Sequence, residues 1–236
     1  MSRSIRILST RALDAVLIGQ AEAAGIRIDI STYIETIPIQ DKGLALQVKE
    51  LAGRASTVIF TSMNAVDPVA DMLGGLRAEN WRIFCIGAAT RRQVEAHFGV
   101  SAIAGTAPSA SALAGVVLKE GTEEAVFFCG DQRREELPAI LSGGGVHIQE
   151  IVVYRTVETP SAAGDGYDGI AFFSPSAVRS FFSVNAVDEK TCFFAIGETT
   201  AETIRTYAPG SPVIISRAPE KEALVHQIIE YFQTHI

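Results

Sequence analysis

Short apolar runs at residues 5–9, 58–61, 83–86, 126–129, 148–154, 170–173, 192–196 and 213–215 are continuous rather than alternating in polarity. Strands covered on both faces read this way, because neither face meets water, so the pattern predicts parallel sheets flanked by helices. Between these runs, apolar positions recur at helical spacing over 12–24, 44–51, 91–98, 112–119, 135–141, 200–207 and 221–233. Strand, helix and strand in succession predict a doubly wound α/β fold.

The pattern is also written twice. FTSMNAV (60–66) and CIGAAT (85–90) return as FFSPSAV (172–178) and AIGETT (195–200), at offsets of 112 and 110 residues. Ala112-Leu113-Ala114 returns as Ala223-Leu224-Val225, shifted by 111. Upstream, AAGIRIDISTYIET (23–36) echoes GGGVHIQEIVVYRT (143–156), an echo expected to set Tyr33 opposite Tyr154. Two copies of one α/β unit follow, and 236 residues then hold two small domains. How they pair stays open. A simple tandem boundary would fall in the polar stretch 119–124. Alternatively, 1–37 and 157–236 form one lobe and 38–156 the other. The chain would then cross near 32–40 and 152–160, two β-branched stretches able to pair as a hinge. Duplicated loops facing each other would make a cleft.

Composition narrows the function classes. With 47% hydrophobic and 20% charged residues, and no apolar run approaching the roughly 18 residues of a membrane span, a globular protein without a membrane segment is expected. The amino terminus enters a strand-like run without a leader-like apolar region, which suggests a cytoplasmic location. A formal charge of −7 argues against nucleic acid or an acidic membrane as partner, but not against an anionic small molecule held by local donors. Cys85, Cys129 and Cys192 lie in apolar runs without CxxC spacing, and the four histidines form no HxxxH pattern. Buried reduced thiols and no metal site are expected.

Ligands of open parallel sheets collect at the carboxyl ends of the strands. Here each run is followed by hydroxyl, amide or glycine residues: Thr61-Ser62-Met63-Asn64, Gly87 to Thr90, Gly130 to Arg134, Ser174-Pro175-Ser176, and Gly197-Glu198-Thr199-Thr200. Helix N-termini there would present free N–H groups and partial positive charge to carboxylates or phosphates. The same residues are ordinary N-caps, and Thr90 with Gln93 matches a capping box. Arg133 and Arg134 read equally as a solvated pair or as carboxylate recognition. Tyr154, among β-formers, reads as a strand aromatic. The sequence holds no GxxxxGK[ST] phosphate loop, no GxGxxG after the first strand and no GxSxG elbow. An enzyme of this kind works by orienting a reactive substrate.

The ordered set ILSTR, FTSMNAV, CIGAAT, CGDQRREELP, VVYRT, FFSPSAV and AIGETTAETI resembles the uroporphyrinogen-III synthase family over essentially the whole chain. The resemblance implies two flavodoxin-like lobes with the crossing connectivity, joined by a two-stranded β hinge, and a monomer. It implies dehydration and cyclisation of hydroxymethylbilane, a linear tetrapyrrole with eight carboxylates, with inversion of the terminal ring and without metal or organic cofactor. Position by position, Tyr154 matches the family's tyrosine and is the candidate to help the hydroxyl leave. Arg11, Ser62, Thr90, Arg133, Arg134, Ser174, Ser176 and Thr200 match substrate-binding positions, with Thr61, Asn64 and Thr199 in the same turns. Ala12, where many relatives have proline, and Asn64 with Pro68 depart from the pattern without removing a proposed chemical group. A non-catalytic two-lobed carrier of an anionic metabolite is the alternative.

Overall fold

A computed structural model describes residues 5–188 and 190–235. The chain begins with β1 (Ile5–Ser9), α1 (Ala15–Ala23) and β2 (Ile26–Ile30). It continues through β3 (Ile34–Pro38), α2 (Lys42–Ala52), β4 (Ser56–Phe60), α3 (Met63–Leu73), β5 (Trp81–Ile86) and α4 (Gly87–Phe98). There follow β6 (Ile103–Ala107), α5 (Ala110–Lys119), β7 (Glu124–Gly130), α6 (Glu136–Gly143) and the long β8 (His147–Glu158). The last stretch holds β9 (Gly169–Phe172), α7 (Pro175–Phe182), β10 (Cys192–Ala195), α8 (Glu198–Tyr207), β11 (Val213–Ile215) and α9 (Lys221–Thr234). Contacts divide the chain into two compact units, residues 5–35 with 157–235, and Thr36–Thr156.

The first unit carries a five-stranded sheet in the order β2-β1-β9-β10-β11, parallel throughout. The second carries six strands in the order β3-β8-β7-β4-β5-β6, with parallel pairing from β8 to β6. Setting β8 against β2, β7 against β1, and β4, β5, β6 against β9, β10, β11 makes the two orders identical. The copies meet between α5 and β7, within the 119–124 stretch, yet each folded unit takes its strands from both copies.

Continuous apolar strands are explained by cover on both faces. In the second unit Val58, Phe60, Ile83, Cys85, Val126, Phe128, Ile151 and Val153 share one core with α2, α3 and α4. The intervening Ile59, Phe84, Ala125, Phe127 and Cys129 share the other with α5 and α6. The first unit repeats this: Leu8, Ile170, Phe172, Phe193 and Ala195 pack on α7 and α8, and Ile7, Ala171, Cys192 and Phe194 on α1 and α9. Burying each such side chain contributes about 1.5–3 kcal/mol.

Three strands, β2, β3 and β6, escape the apolar-run pattern, and all three are sheet edges. In β2 (IRIDI) polarity alternates because one face is half open, and in β6 (IAGTA) small residues dilute the apolar signal. Helices α3 and α7 are also absent from the helical-spacing pattern. Pro68 lies inside α3 and Pro175 opens α7, yet a Ser N-cap starts each one, Ser62 accepting from Asn64 N–H and Ser174 from Ala177 N–H.

All three cysteines are free and buried. Burial pushes the thiols of Cys129 and Cys192 up to about 11 and raises that of Cys85, so little thiolate exists near neutrality. A thiol-specific disulfide reagent at pH 8 is expected to leave the native protein unlabelled and to label three groups after denaturation. Rapid native labelling would contradict the burial.

Candidate functional site

In each sheet the direction of strand addition reverses once, between β1 and β9 and between β7 and β4. The chain winds from β1 through α1 on one face and from β9 through α7 on the other, which leaves a crevice at the strands' carboxyl ends. In the first unit Ser9, Thr10 and Arg11 follow β1, and Ser174 follows β9. Thr10 ties the two together, its N–H and Oγ1 both donating to the Ala171 carbonyl at 3.0 and 2.9 Å.

The second unit places Gly130 at the end of β7 and Asp131 just after it, Thr61 and Ser62 after β4, and Tyr154 on the neighbouring β8. The β7–β8 register shifts by one residue here, Cys129 pairing with Val152 and Gly130 with Tyr154. Side chains alternate along a regular strand, so with Ile151 and Val153 in one core Tyr154 would point to the opposite face. The shift returns it to the face of Val153, where it packs against the core shared with α3. That face carries Ser62, which caps α3 and stands close enough to the Tyr154 phenol to influence its proton affinity.

Burial raises the Tyr154 hydroxyl above its ordinary value of 10.0. Ser62 opposes this, while the charges of Cys129 and Asp131 add to the rise. The phenol therefore keeps its proton throughout the neutral range. Just beyond, Asp131 N–H donates to the Tyr154 carbonyl at 3.2 Å, and Thr156 N–H donates to Asp131 Oδ1 at 2.9 Å.

The remaining residues singled out in the sequence fall into three groups. Thr61 and Asn64 flank the Ser62 cap, Thr61 half-buried and Asn64 exposed. Ser176 is 3% exposed, its Oγ 3.1 Å from that of Ser174. Thr90 and Thr200 are 5% and 2% exposed, so their hydroxyls face inward. The capping-box expectation for Thr90 is corrected: α4 begins at Gly87, so Thr90 lies inside its first turn, and Gln93 bonds Asp67 instead. Neither α4 nor α8 has a side-chain cap. Open donors at both IG turns are thus backbone N–H groups, on exposed Gly87, Ala88 and Ala89 and on exposed Glu198 and Thr199.

The cations differ in availability. Arg133 is held by Glu150 and, at 2.6 Å, by Glu135, so its charge is already met. Arg11 and Arg134 are exposed. Among the described residues, no three His, Cys, Asp or Glu side chains converge as metal ligands. No helix is long and apolar enough to cross a membrane.

Tyr33 corrects a second expectation. Counted without a gap, the echo places it opposite Val153, and both are fully buried. Tyr33 packs edge-on against Phe181 at 5.2 Å, a core position of the first unit, and Ile34 is the counterpart of Tyr154. Sequence reasoning placed Gly130 and Asp131 in a candidate turn but gave neither a role of its own. The only signal was a glycine ending a strand in which every other residue past the first is apolar.

A structure of uroporphyrinogen-III synthetase from Helicobacter pylori is similar in fold, with a TM-score of 0.65 and 16% identity over 96% of this chain and 99% of that one. A mutant uroporphyrinogen III synthase from Thermus thermophilus gives a TM-score of 0.57 and 14% identity, covering 98% and 100%. The family model described as Uroporphyrinogen-III synthase HemD matches residues 15–226. With most of its length matched, the chain belongs to the uroporphyrinogen-III synthase family, cyclising lyases of haem biosynthesis.

Proposed function

We propose that this chain converts hydroxymethylbilane to uroporphyrinogen III, with Tyr154 as the proton donor that lets the terminal hydroxyl leave as water. The observation that carries the assignment of Tyr154 is its place. A phenol kept protonated by burial stands at a topological switch point, beside a Ser-capped helix start. The Tyr154 proton passes to the departing oxygen, the carbon–oxygen bond breaks, and the resulting phenolate is reprotonated from solvent. Each unit, taken by itself, offers an uncapped helix N-terminus, at α4 or α8, suited to a propionate or acetate. Exposed Arg11 and Arg134 are cationic partners for the same groups, whereas Arg133 serves to hold the turn after β7. Ring inversion is then a matter of which pyrrole carbon meets the activated terminus, a selection among transition states rather than of tighter substrate binding. Cytoplasmic, monomeric action belongs to this proposal, and three free buried thiols suit a reducing compartment.

The test is incubation with hydroxymethylbilane generated enzymatically in the same vessel, then oxidation and separation of isomers. The type III isomer is expected. Type I alone would overturn the activity, and tight binding of the bilane without turnover would make the protein a carrier.

A further inference from the structure

We propose that Gly130 is a positioning residue for Tyr154: its missing Cβ is the space in which the tyrosine ring lies, and this space aims the hydroxyl at the start of α3. The inference rests on the role given to Tyr154 above and adds a second residue to it.

A Cβ built on Gly130 would stand 2.4 Å from Cζ, 2.5 Å from Cε2 and 2.8 Å from the hydroxyl oxygen of Tyr154. Real carbons do not approach so closely, so ring and side chain exclude each other. Backbone conformation does not account for the glycine, because Gly130 is a strand residue and is not among the positive-φ glycines. Three other described glycines would also bring a Cβ within 3 Å of a side chain. Gly105, Gly144 and Gly169 meet phenylalanine, valine or leucine and so belong to core packing. Gly130 alone among the described glycines makes such an approach to a hydroxylated side chain.

The surroundings leave the ring few alternatives. The register shift has turned Tyr154 onto the Gly130 side of the strand pair. Its backbone is then pinned by the residues that follow Gly130. Asp131 N–H donates to the Tyr154 carbonyl, Asp131 Oδ1 accepts from Thr156 N–H, and Gln132 Nε2 donates to the Thr156 carbonyl at 3.4 Å. With the main chain held, an added methyl group can be accommodated only by rotating the ring, which carries the hydroxyl away from Ser62. A displacement of about 1 Å in a reacting group can cost on the order of a hundredfold in rate.

The experiment compares Gly130→Ala, Tyr154→Phe and the double variant with the parent, measuring kcat and KM on enzymatically generated hydroxymethylbilane. Gly130→Ala is expected to lower kcat roughly 30- to 100-fold with KM changed less than about threefold, and the double variant to be no worse than about threefold below the slower single. Unchanged kcat in Gly130→Ala, or effects that multiply in the double variant, would overturn the proposal. Phenolate absorbance on alkaline titration, taken as the difference from the matched Tyr154→Phe protein, separates the two roles. In the parent Tyr154 titrates above the ordinary tyrosine range, and in Gly130→Ala, with the hydroxyl moved away from Ser62 and its burial changed, the titration shifts from the parent's. If Tyr154→Phe is fully active, the catalytic role falls while this titration still judges the positioning, and an unmoved titration overturns it. Should Gly130→Ala unfold, Gly130→Ala/Tyr154→Ala removes the ring and is expected to recover the thermal midpoint. A double variant as unstable as the single would overturn the steric pairing.

Discussion

Tyr154→Phe is expected to lower kcat about a hundredfold, a loss of ~2.7 kcal/mol in transition-state stabilisation, while KM stays within a few-fold. The substitution keeps the ring against Gly130 and the core of the second unit and deletes only the phenol oxygen beside Ser62. On the proposed reading the substrate's carboxylates are shared among many donors, so Thr90→Ala, Thr200→Ala and Ser62→Ala should each cost less. Ser62→Ala removes a helix cap worth ~1 kcal/mol and one neighbour of the phenol. Equal losses for all four variants would sink this ranking. The pH profile carries the same content. The acting form of Tyr154 is protonated and its hydroxyl is raised by burial, so turnover should persist to pH 10 and fall only as pH rises through the elevated value. A basic limb near neutrality that Tyr154→Phe leaves in place would belong to another group.

Phe172→Ala is expected to destabilise the first unit by about 3–5 kcal/mol, measured as the shift in a urea unfolding curve. Phe172 is fully buried and forms an aromatic cluster with Phe181 at 5.5 Å edge-on, Phe193 at 6.1 Å and Phe182 at 6.2 Å. Truncation removes the apolar surface and leaves a cavity that a strand paired on both sides cannot relax to fill. Set against a typical stability of 5–15 kcal/mol, this is a large fraction. Arg205→Ala, which deletes an exposed pair with Glu198, should cost less than about 1 kcal/mol in the same assay. A Phe172→Ala loss as small as that would show that the cluster relaxes around the gap.

The fold was legible because its central strands are covered on both faces and therefore apolar without interruption. What escaped lies at the margins: β2, β3 and β6 are edge strands, and α3 and α7 carry prolines that read as turn residues until the Ser caps are seen. The candidate site was legible as turns but not as geometry. Thr90 and Thr200 are correctly placed after their strands, yet burial turns their hydroxyls away and leaves the backbone to face outward. The role of Gly130 depends on a one-residue register shift between β7 and β8, which no local pattern in either strand announces.

The exchange of strands between the two copies has a consequence for synthesis. Thr36–Thr156 is one continuous stretch, so its sheet pairs within a single run of chain, but the edge of β1 that β9 covers must wait for β9, and Arg6 N–H reaches Asp168 Oδ2 across 162 residues. On a ribosome β1 and β2 can pair with each other early, but the edge of β1 that β9 covers stays open, because closure over so long a loop comes late. Until then that unpaired edge is exposed to other nascent chains, so the amino terminus is the segment of this protein that chaperones must guard longest.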